Sequence, residues 1–516
     1  MNTRRYKEGR SRQQAMLMPP SIDEYIDANN PVRAIDLYVE SLDLKVLGFK
    51  HVGGSCTAGQ PAYRPGMLLK LYLWGYLNKT RSSRMLERET YRNLEVIWLL
   101  QDLHPTYKSI ADFRKNNSHA LKATNRDFTL LCRELALFGT ELVAIDSTFM
   151  EGNASKASMH THNKVTRQLA KIEEEIDRWH AVLDEQDAQE SPSSAVPATD
   201  AISAKLAQLK QRQQRCEHRL HRIKAQGGDQ ISETDPDARL LNKKTDKGPT
   251  AGYNVQIAVD QKHKLIVAHD VVNDRNDQQQ LAPVATMAKA MLKADRLTVA
   301  ADGGYYNQDA LKDCEDHGIT AYVPIPKNQG LEAKPERYRK QDFQYNDTED
   351  AYTCPAGKVL HRSGDRERNG KRMQRYVSRV QDCRHCPLRS QCLTDKARHR
   401  HLERWEHEAV NERHQQRMDR EGAVYMKLRA GLAEHPFGTL KVRAGWTHFL
   451  SRGFDNVRAE CSLMVLCYNF TRLLNIDGAA ERFKAHCIAR QSGLNRLIVE
   501  LCAALLSLGL LMQVQQ

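Results

Sequence analysis

The sequence predicts an α/β fold: a five-stranded mixed sheet, a helical domain before it, and two insertions that interrupt it. Three observations carry this. Two short apolar runs, 142–145 (LVAI) and 297–301 (LTVAA), each end directly in an aspartate, Asp146 and Asp302, and read as buried strands that deliver a carboxylate at their C-terminal ends. Between them, 253–260 (YNVQIAVD) and 264–272 (KLIVAHDVV) are two β-rich runs separated by a short polar turn, the spacing of an antiparallel hairpin. Elsewhere apolar residues recur every three or four positions over long stretches, the period of helices. At 516 residues the chain exceeds what one hydrophobic core usually supports, so several structural units are expected.

Residues 1–135 read as an N-terminal helical domain. Within it 67–77 (MLLKLYLWGYL) is apolar on most faces, and Lys79, Arg81, Arg84, Arg88 and Arg92 follow on a turn and a helix. A small DNA-binding domain has this pattern, with Arg81, Arg84 and Arg88 as its DNA contacts; an ordinary helical domain with a solvated basic surface has it too. The sheet is expected over 136–160 and 232–330, split by a helical insertion at 161–231. In that insertion Val165, Leu169, Ile172, Ile176, Trp179 and Leu183 form one heptad seam. Ile202, Leu206, Leu209, Cys216, Leu220 and Ile223 form a second, with Gln213 as the polar exception, after a Pro/Ser-rich break over 190–200. The two seams predict an antiparallel helical hairpin with an architectural role.

Helical spacing over 277–293, then the strand ending in Asp302, a helix over 308–317 and a strand over 319–325 complete the order strand, hairpin, helix, strand, helix, strand. With the helical insertion removed, this is the connectivity of a ribonuclease H-like core. Residues 331–404 are polar, basic and cysteine-bearing, a second insertion too polar to form its own core. Helical pattern returns over 405–478, and 479–516 reads as a tail helix. Its apolar run, 497–514, is interrupted by Glu500 and falls short of the roughly 20 residues that span a bilayer, so a buried or oligomer-forming helix is expected and no membrane anchor. The N-terminus, MNTRRYKEGRSRQQ, is polar and basic without an apolar signal region, which predicts a cytoplasmic protein.

Lys and Arg number 77 against 64 Asp and Glu, a net charge of +13. That balance favours an extended polyanion as partner over an acidic small molecule, with nucleic acid first among polyanions. Cleaving a phosphodiester requires an activated oxygen and stabilisation of charge on the entering and leaving oxygens. Two Mg²⁺ (or Mn²⁺) ions about 4 Å apart do both, and a few carboxylates suffice to hold them. Asp146 precedes Ser147-Thr148 and Asp302 precedes Gly303-Gly304, so each alone equally suits a turn or cap. Side by side on neighbouring strands, the two suit a metal site. For a third acid Glu406, Glu408, Glu412, Glu421 and Glu460 compete with Glu434. Glu434 stands out for its company: Tyr425, Arg429 and Lys441 surround it in YMKLRAGLAEHPFGTLK, and cations there suit a DNA phosphate. Pro436 is expected to kink or restart the helix.

Twelve cysteines in such a chain read as buried thiols or metal ligands rather than disulfides. Cys354, Cys383, Cys386 and Cys392 include one Cys-x2-Cys turn and suit a structural Zn²⁺; the spacing also resembles iron–sulfur sites, and four reduced thiols without metal are the plain alternative. Cys461 and Cys467 read as core residues.

VAIDSTFMEGNAS, GYNVQIAVD, VVNDRNDQQQL, VAADGGYYN, EHPFGTLK and HFLSRGFDNVRAECSLMVLCYNFTRLL together resemble the successive blocks of one family of bacterial insertion-sequence transposases, the group numbered 1182, related to groups 4 and 5. YRPGMLLKLYLWGYL and SIADFRK resemble its N-terminal helical domain. The resemblance spans roughly residues 20–480. It implies a DDE active site of Asp146, Asp302 and Glu434, with Tyr425, Arg429 and Lys441 matching a Tyr-Arg-Glu-Lys pattern that positions DNA. The spacings from Tyr425 to Arg429 and from Arg429 to Glu434 are each one residue longer than in group 4. Thr106 stands where an acid is expected, and the tail after Asp477 has no counterpart. The function so implied is cleavage of element ends, at terminal inverted repeats, and joining to target DNA, by a homodimer that pairs two ends. A catalytically inactive DNA-binding derivative and a metal-dependent nuclease without strand transfer are the other readings.

Overall fold

The computed structural model describes residues 21–53, 61–189, 197–241, 248–326 and 337–493. The basic N-terminus and the apolar run 497–514 lie outside the described residues.

Six helices precede the sheet: α1 (Pro31–Glu40), α2 (Pro65–Leu77), α3 (Ser83–Thr90), α4 (Leu94–Leu100), α5 (Tyr107–Asn116) and α6 (Ser118–Glu134). Their starts follow from local chemistry. The Asn30 side chain accepts the Val32 N–H at 2.9 Å with Pro31 in the first turn, and Asn93 caps α4 in the same way. Thr106 caps α5 through the Ser109 N–H, so the position where an acid was expected is occupied by a cap. α2 is buried on nearly every face, and its buried Lys70 is matched by Asp36 at 2.6 Å and Glu40 at 2.5 Å. The core of these helices continues without a break into the sheet. Phe128 of α6 meets Phe470 at 5.6 Å between ring centroids, and Phe470 meets Phe483 at 5.7 Å.

The main sheet has six strands where five were expected: β1 (Leu142–Glu151), β4 (Arg239–Leu241), β5 (Thr250–Asp260), β6 (Ile266–Val272), β7 (Leu297–Ala300) and β8 (Ile319–Tyr322). β5 is antiparallel to β1, while β7 is parallel to β1 and to β8. The extra strand, β4, shares one edge of β5 with β6, pairing at the end of β5 that β6 leaves free. β1 also runs further than its apolar stretch. It stays paired to β5 as far as Glu151 opposite Gly252, where a side chain would collide with the Met150 carbonyl. Asp146 therefore lies within a strand rather than at its end, a correction to the reading above. It is the pairing with β7 that stops, at Ala144 opposite Ala300, so Asp146 lies just past the last residue β7 covers. α9 (Leu281–Leu292) follows β6 and α10 (Gln308–Asp316) follows β7.

The first insertion enters through β2 (Met159–Thr161) and leaves through β3 (Gln230–Ser232), which pair antiparallel at its base. Between them α7 (His162–Gln189) and α8 (Pro197–Ala225) bury Val165, Ile172, Ile176, Ile202, Leu206, Leu209, Cys216 and Ile223 against one another. The second insertion forms a core after all. Five antiparallel strands, β9 (Gln344–Asn346), β10 (Ala351–Thr353), β11 (Val359–Arg368), β12 (Lys371–Ser378) and β13 (His401–Trp405), enclose Phe343, Tyr352, Leu360, Tyr376 and Leu402, with two short helices, α11 (Val380–Arg384) and α12 (Arg389–Cys392), beside them. A few aromatics supply the buried surface that its polar composition hides.

α13 (Glu408–Phe437) then crosses the sheet, contains Pro436, and passes into a π-helical turn, Gly438–Arg443, instead of breaking. α14 (Phe454–Leu474) and a last helical stretch, 479–493, close the N-terminal core. Among the described residues no helix is long and apolar enough to cross a membrane.

Candidate active site

α13 seats on the sheet through Leu432 and Ala433, which pack on Leu142, Ala144 and Ala300, with Tyr425 and Met426 beside them. This contact brings Arg429 to the point where β7 stops. Its Nη2 lies 2.7 Å from Asp146 Oδ1 and 3.6 Å from Asp302 Oδ2, so one guanidinium joins the two aspartates. The Asp146 side chain is 18% exposed and that of Asp302 47%. Asp302 also accepts the Gly304 N–H at 2.9 Å, which holds the turn after β7. Burial raises the Asp146 carboxyl above its ordinary value; the Arg429 guanidinium and the Ser147 N–H at 2.8 Å pull it down, and the Asp302 charge adds to the rise.

The other expected residues divide into those near this centre and those away from it. Lys441 hydrogen-bonds the Thr148 hydroxyl, two residues along β1 from Asp146 and on the same strand face. Tyr425 stacks on Tyr322, the last residue of β8, at 3.8 Å between centroids. Glu434 is exposed on α13, immediately after Ala433. Its competitors are engaged elsewhere: Glu412 with Arg404, Glu408 with Lys340 at 2.8 Å, Glu421 with the Tyr322 hydroxyl at 2.5 Å, and Glu460 with the Leu450 and Ser451 N–H groups. Glu406 lies 3.9 Å from His407.

On α3, Arg84 and Arg88 are exposed, Arg84 lying over the Tyr107 ring. Arg81 is not available to DNA. It is 9% exposed, donates to the His448 carbonyl at 2.9 Å and pairs with the fully buried Glu460 at 3.4 Å, so the charge read as a DNA contact is spent inside the protein. The four insertion thiols, Cys354, Cys383, Cys386 and Cys392, line one cavity of about 30 Å³. The Lys358 N–H donates to Cys354 Sγ at 3.3 Å, and Ser378 Oγ lies 3.1 Å from Cys383 Sγ. Among the described residues no three His, Cys, Asp or Glu side chains are gathered closely enough to hold a metal ion, neither the three acids nor the thiols.

Sequence reasoning missed a polar layer beneath the aspartates, made by Ser147, Asn254, Gln256, Asp277 and Tyr305. The signal was present in β5, where two amides at alternate positions put a polar stripe on one face of an otherwise apolar strand.

Residues 232–470 match the family model described as Transposase DDE domain, and residues 20–116 match that described as Transposase domain (DUF772). No curated protein matches the chain. Among solved structures, the cryo-EM structure of a piggyBac transposase synaptic complex with hairpin DNA is similar at 8% identity, over 92% of this chain and 82% of that one, with a TM-score of 0.29. The two family models in this order are the pairing typical of the insertion-sequence group numbered 1182, and the chain belongs to that family of DDE transposases.

Proposed function

We propose that the protein cuts the ends of a bacterial insertion sequence and joins them to target DNA, with Asp146, Asp302 and Glu434 as the ligands of two Mg²⁺ or Mn²⁺ ions in a ribonuclease H-like core. The observation that carries this reading is the shared contact of Asp146 and Asp302 with one cation, the Arg429 guanidinium, at the open end of the sheet. The strand order supports the core: numbered within it, the strands run 3-2-1-4-5, the first three antiparallel and the last two parallel to the first. The donors fit the ions. Two carboxylates facing a single positive group offer the hard oxygens Mg²⁺ requires, and the guanidinium occupies the position of a cation between them. Glu434 is favoured as third ligand because it is exposed and directly follows Ala433, which packs on the strands that carry the aspartates, while Glu408, Glu412, Glu421 and Glu460 are engaged elsewhere.

Bound metal ions would supply activated water and stabilise charge on the attacking and leaving oxygens. The chain's own residues do the rest. Asp146 must be ionised, and Arg429 and the Ser147 N–H oppose the effect of its burial. Arg429, once off the carboxylates, is a bidentate donor for a DNA phosphate, with Lys441 and Tyr425 on the same end of the sheet. Arg84 and Arg88 extend the basic surface on α3. Two DNA ends must be held together for joining, which makes a homodimer the working unit. The four thiols around one cavity are proposed to close on a structural zinc ion.

The reading is tested with purified protein, Mg²⁺ or Mn²⁺ and a labelled duplex carrying an element end. Wild type should nick it, and Asp146→Ala, Asp302→Ala and Glu434→Ala should shift the duplex without nicking it. Shifting without nicking by wild type would leave a DNA-binding protein; nicking by the aspartate variants would remove the assigned site.

A further inference from the structure

Beneath the aspartate pair, Asn254 and Gln256 are alternate residues of β5 and both are fully buried. Their amides converge on one atom: Asn254 Nδ2 and Gln256 Nε2 each donate to Asp277 Oδ1 at 2.7 Å. The other oxygen, Oδ2, accepts from Ser147 Oγ at 2.9 Å. Ser147 is the neighbour of Asp146 and stands opposite Gln256 in the β1–β5 register. The far end of Gln256 is also engaged, its Oε1 accepting from the Tyr305 hydroxyl. Tyr305 is fully buried and closes the turn that Asp302 opens, its N–H donating to the Asp302 carbonyl at 3.1 Å. Asp277 itself lies under that turn: a Cβ built on Gly304 would stand 3.9 Å from its Oδ2 and 3.0 Å from Asp302 Oδ1.

Two arms thus leave one carboxylate. One runs through Ser147 to the strand bearing Asp146, and the other through Gln256 and Tyr305 to the turn bearing Asp302. Both Asp277 oxygens accept from these donors, so its link to the two aspartates runs through them. Two buried amides and a hydroxyl aimed at one group call for an acceptor-only partner, which an ionised carboxylate is and an amide is not.

We propose that Asp277 is a positioning residue that fixes Asp146 and Asp302 relative to one another at the proposed metal site. This rests on the metal-site reading above. Groups that orient metal-binding carboxylates typically change metal affinity by about 10- to 100-fold when lost.

The test is a Mn²⁺ binding isotherm of the full chain without DNA, beside its thermal melting curve. Wild type should bind, Asp146→Ala should not, and Asp277→Ala should bind at least about tenfold more weakly at a temperature where it remains folded. Asp277→Asn and Ser147→Ala, which remove one arm each and leave the fold more secure, should shift the isotherm in the same direction by less. Adding Asn254→Asp to Asp277→Asn returns a carboxylate to the cluster and should recover part of the loss. An unchanged isotherm in Asp277→Ala and Asp277→Asn, with only the melting temperature lowered, would make Asp277 a stability residue and overturn the proposal alone. Absence of Mn²⁺ binding by wild type would overturn the metal-site reading and this proposal with it.

Discussion

Charge is used in two ways by the arginines of this protein. Arg429 is 19% exposed and lies between two carboxylates that would otherwise repel each other across the opening of the sheet. Arg81, fixed against Glu460 and the His448 carbonyl, ties the helical N-terminal region to the loop before α14. Removing one partner of a buried pair leaves an uncompensated charge, so Arg81→Ala should destabilise the fold by about 3 kcal/mol. Arg84→Ala and Arg88→Ala should instead leave the denaturant midpoint unchanged while weakening DNA binding, each lowering its salt slope by about one. Equilibrium unfolding and salt titrations of DNA binding separate the two behaviours; a midpoint unchanged in Arg81→Ala would refute the structural assignment. Asp146 and Asp302 stand out in the sequence because each directly follows a short apolar run. Arg81 was misread because its partner stands far away in the chain, and Asp277 went unnoticed because its donors come from two separate strands.

At the scale of elements, each departure from expectation has a physical source. β1 continues past its apolar residues because β5 supplies hydrogen bonds along its whole length. α13 survives Pro436 near its end by widening into a π-helical turn rather than stopping. The helical hairpin was legible because a heptad seam is a long, repeated signal. The sheet β9–β13 was not, since its longest strands, β11 and β12, are largely polar and exposed and its small core draws one buried residue from each of β10 to β13. Its thiols sit beside that core, where a zinc ion would tie the ends of the insertion together. Purified protein should therefore contain about one zinc per chain. Cys386→Ser and Cys392→Ser should lose the metal and melt earlier, while leaving a Cys461→Ser control loaded. Wild type without bound zinc, or a coloured iron–sulfur chromophore in its place, would refute the assignment.

For the whole molecule, the main consequence is that the N-terminal helices and the sheet share one hydrophobic core rather than meeting as separable domains. The proposed DNA surface on α3 and the aspartates below α13 therefore belong to one continuous body, which the insertions interrupt at β2–β3 and between β8 and α13. Family membership establishes a transposase; the site proposed for its chemistry is where Asp146 and Asp302 share Arg429. The most direct test supplies a pre-cut element end with a free 3′-hydroxyl, a supercoiled plasmid target and Mg²⁺, and measures the joined product. Wild type should join the end to the plasmid, and Asp146→Ala and Asp302→Ala should yield no joined product while still binding the end. Joined product at wild-type level from either aspartate variant would contradict the account.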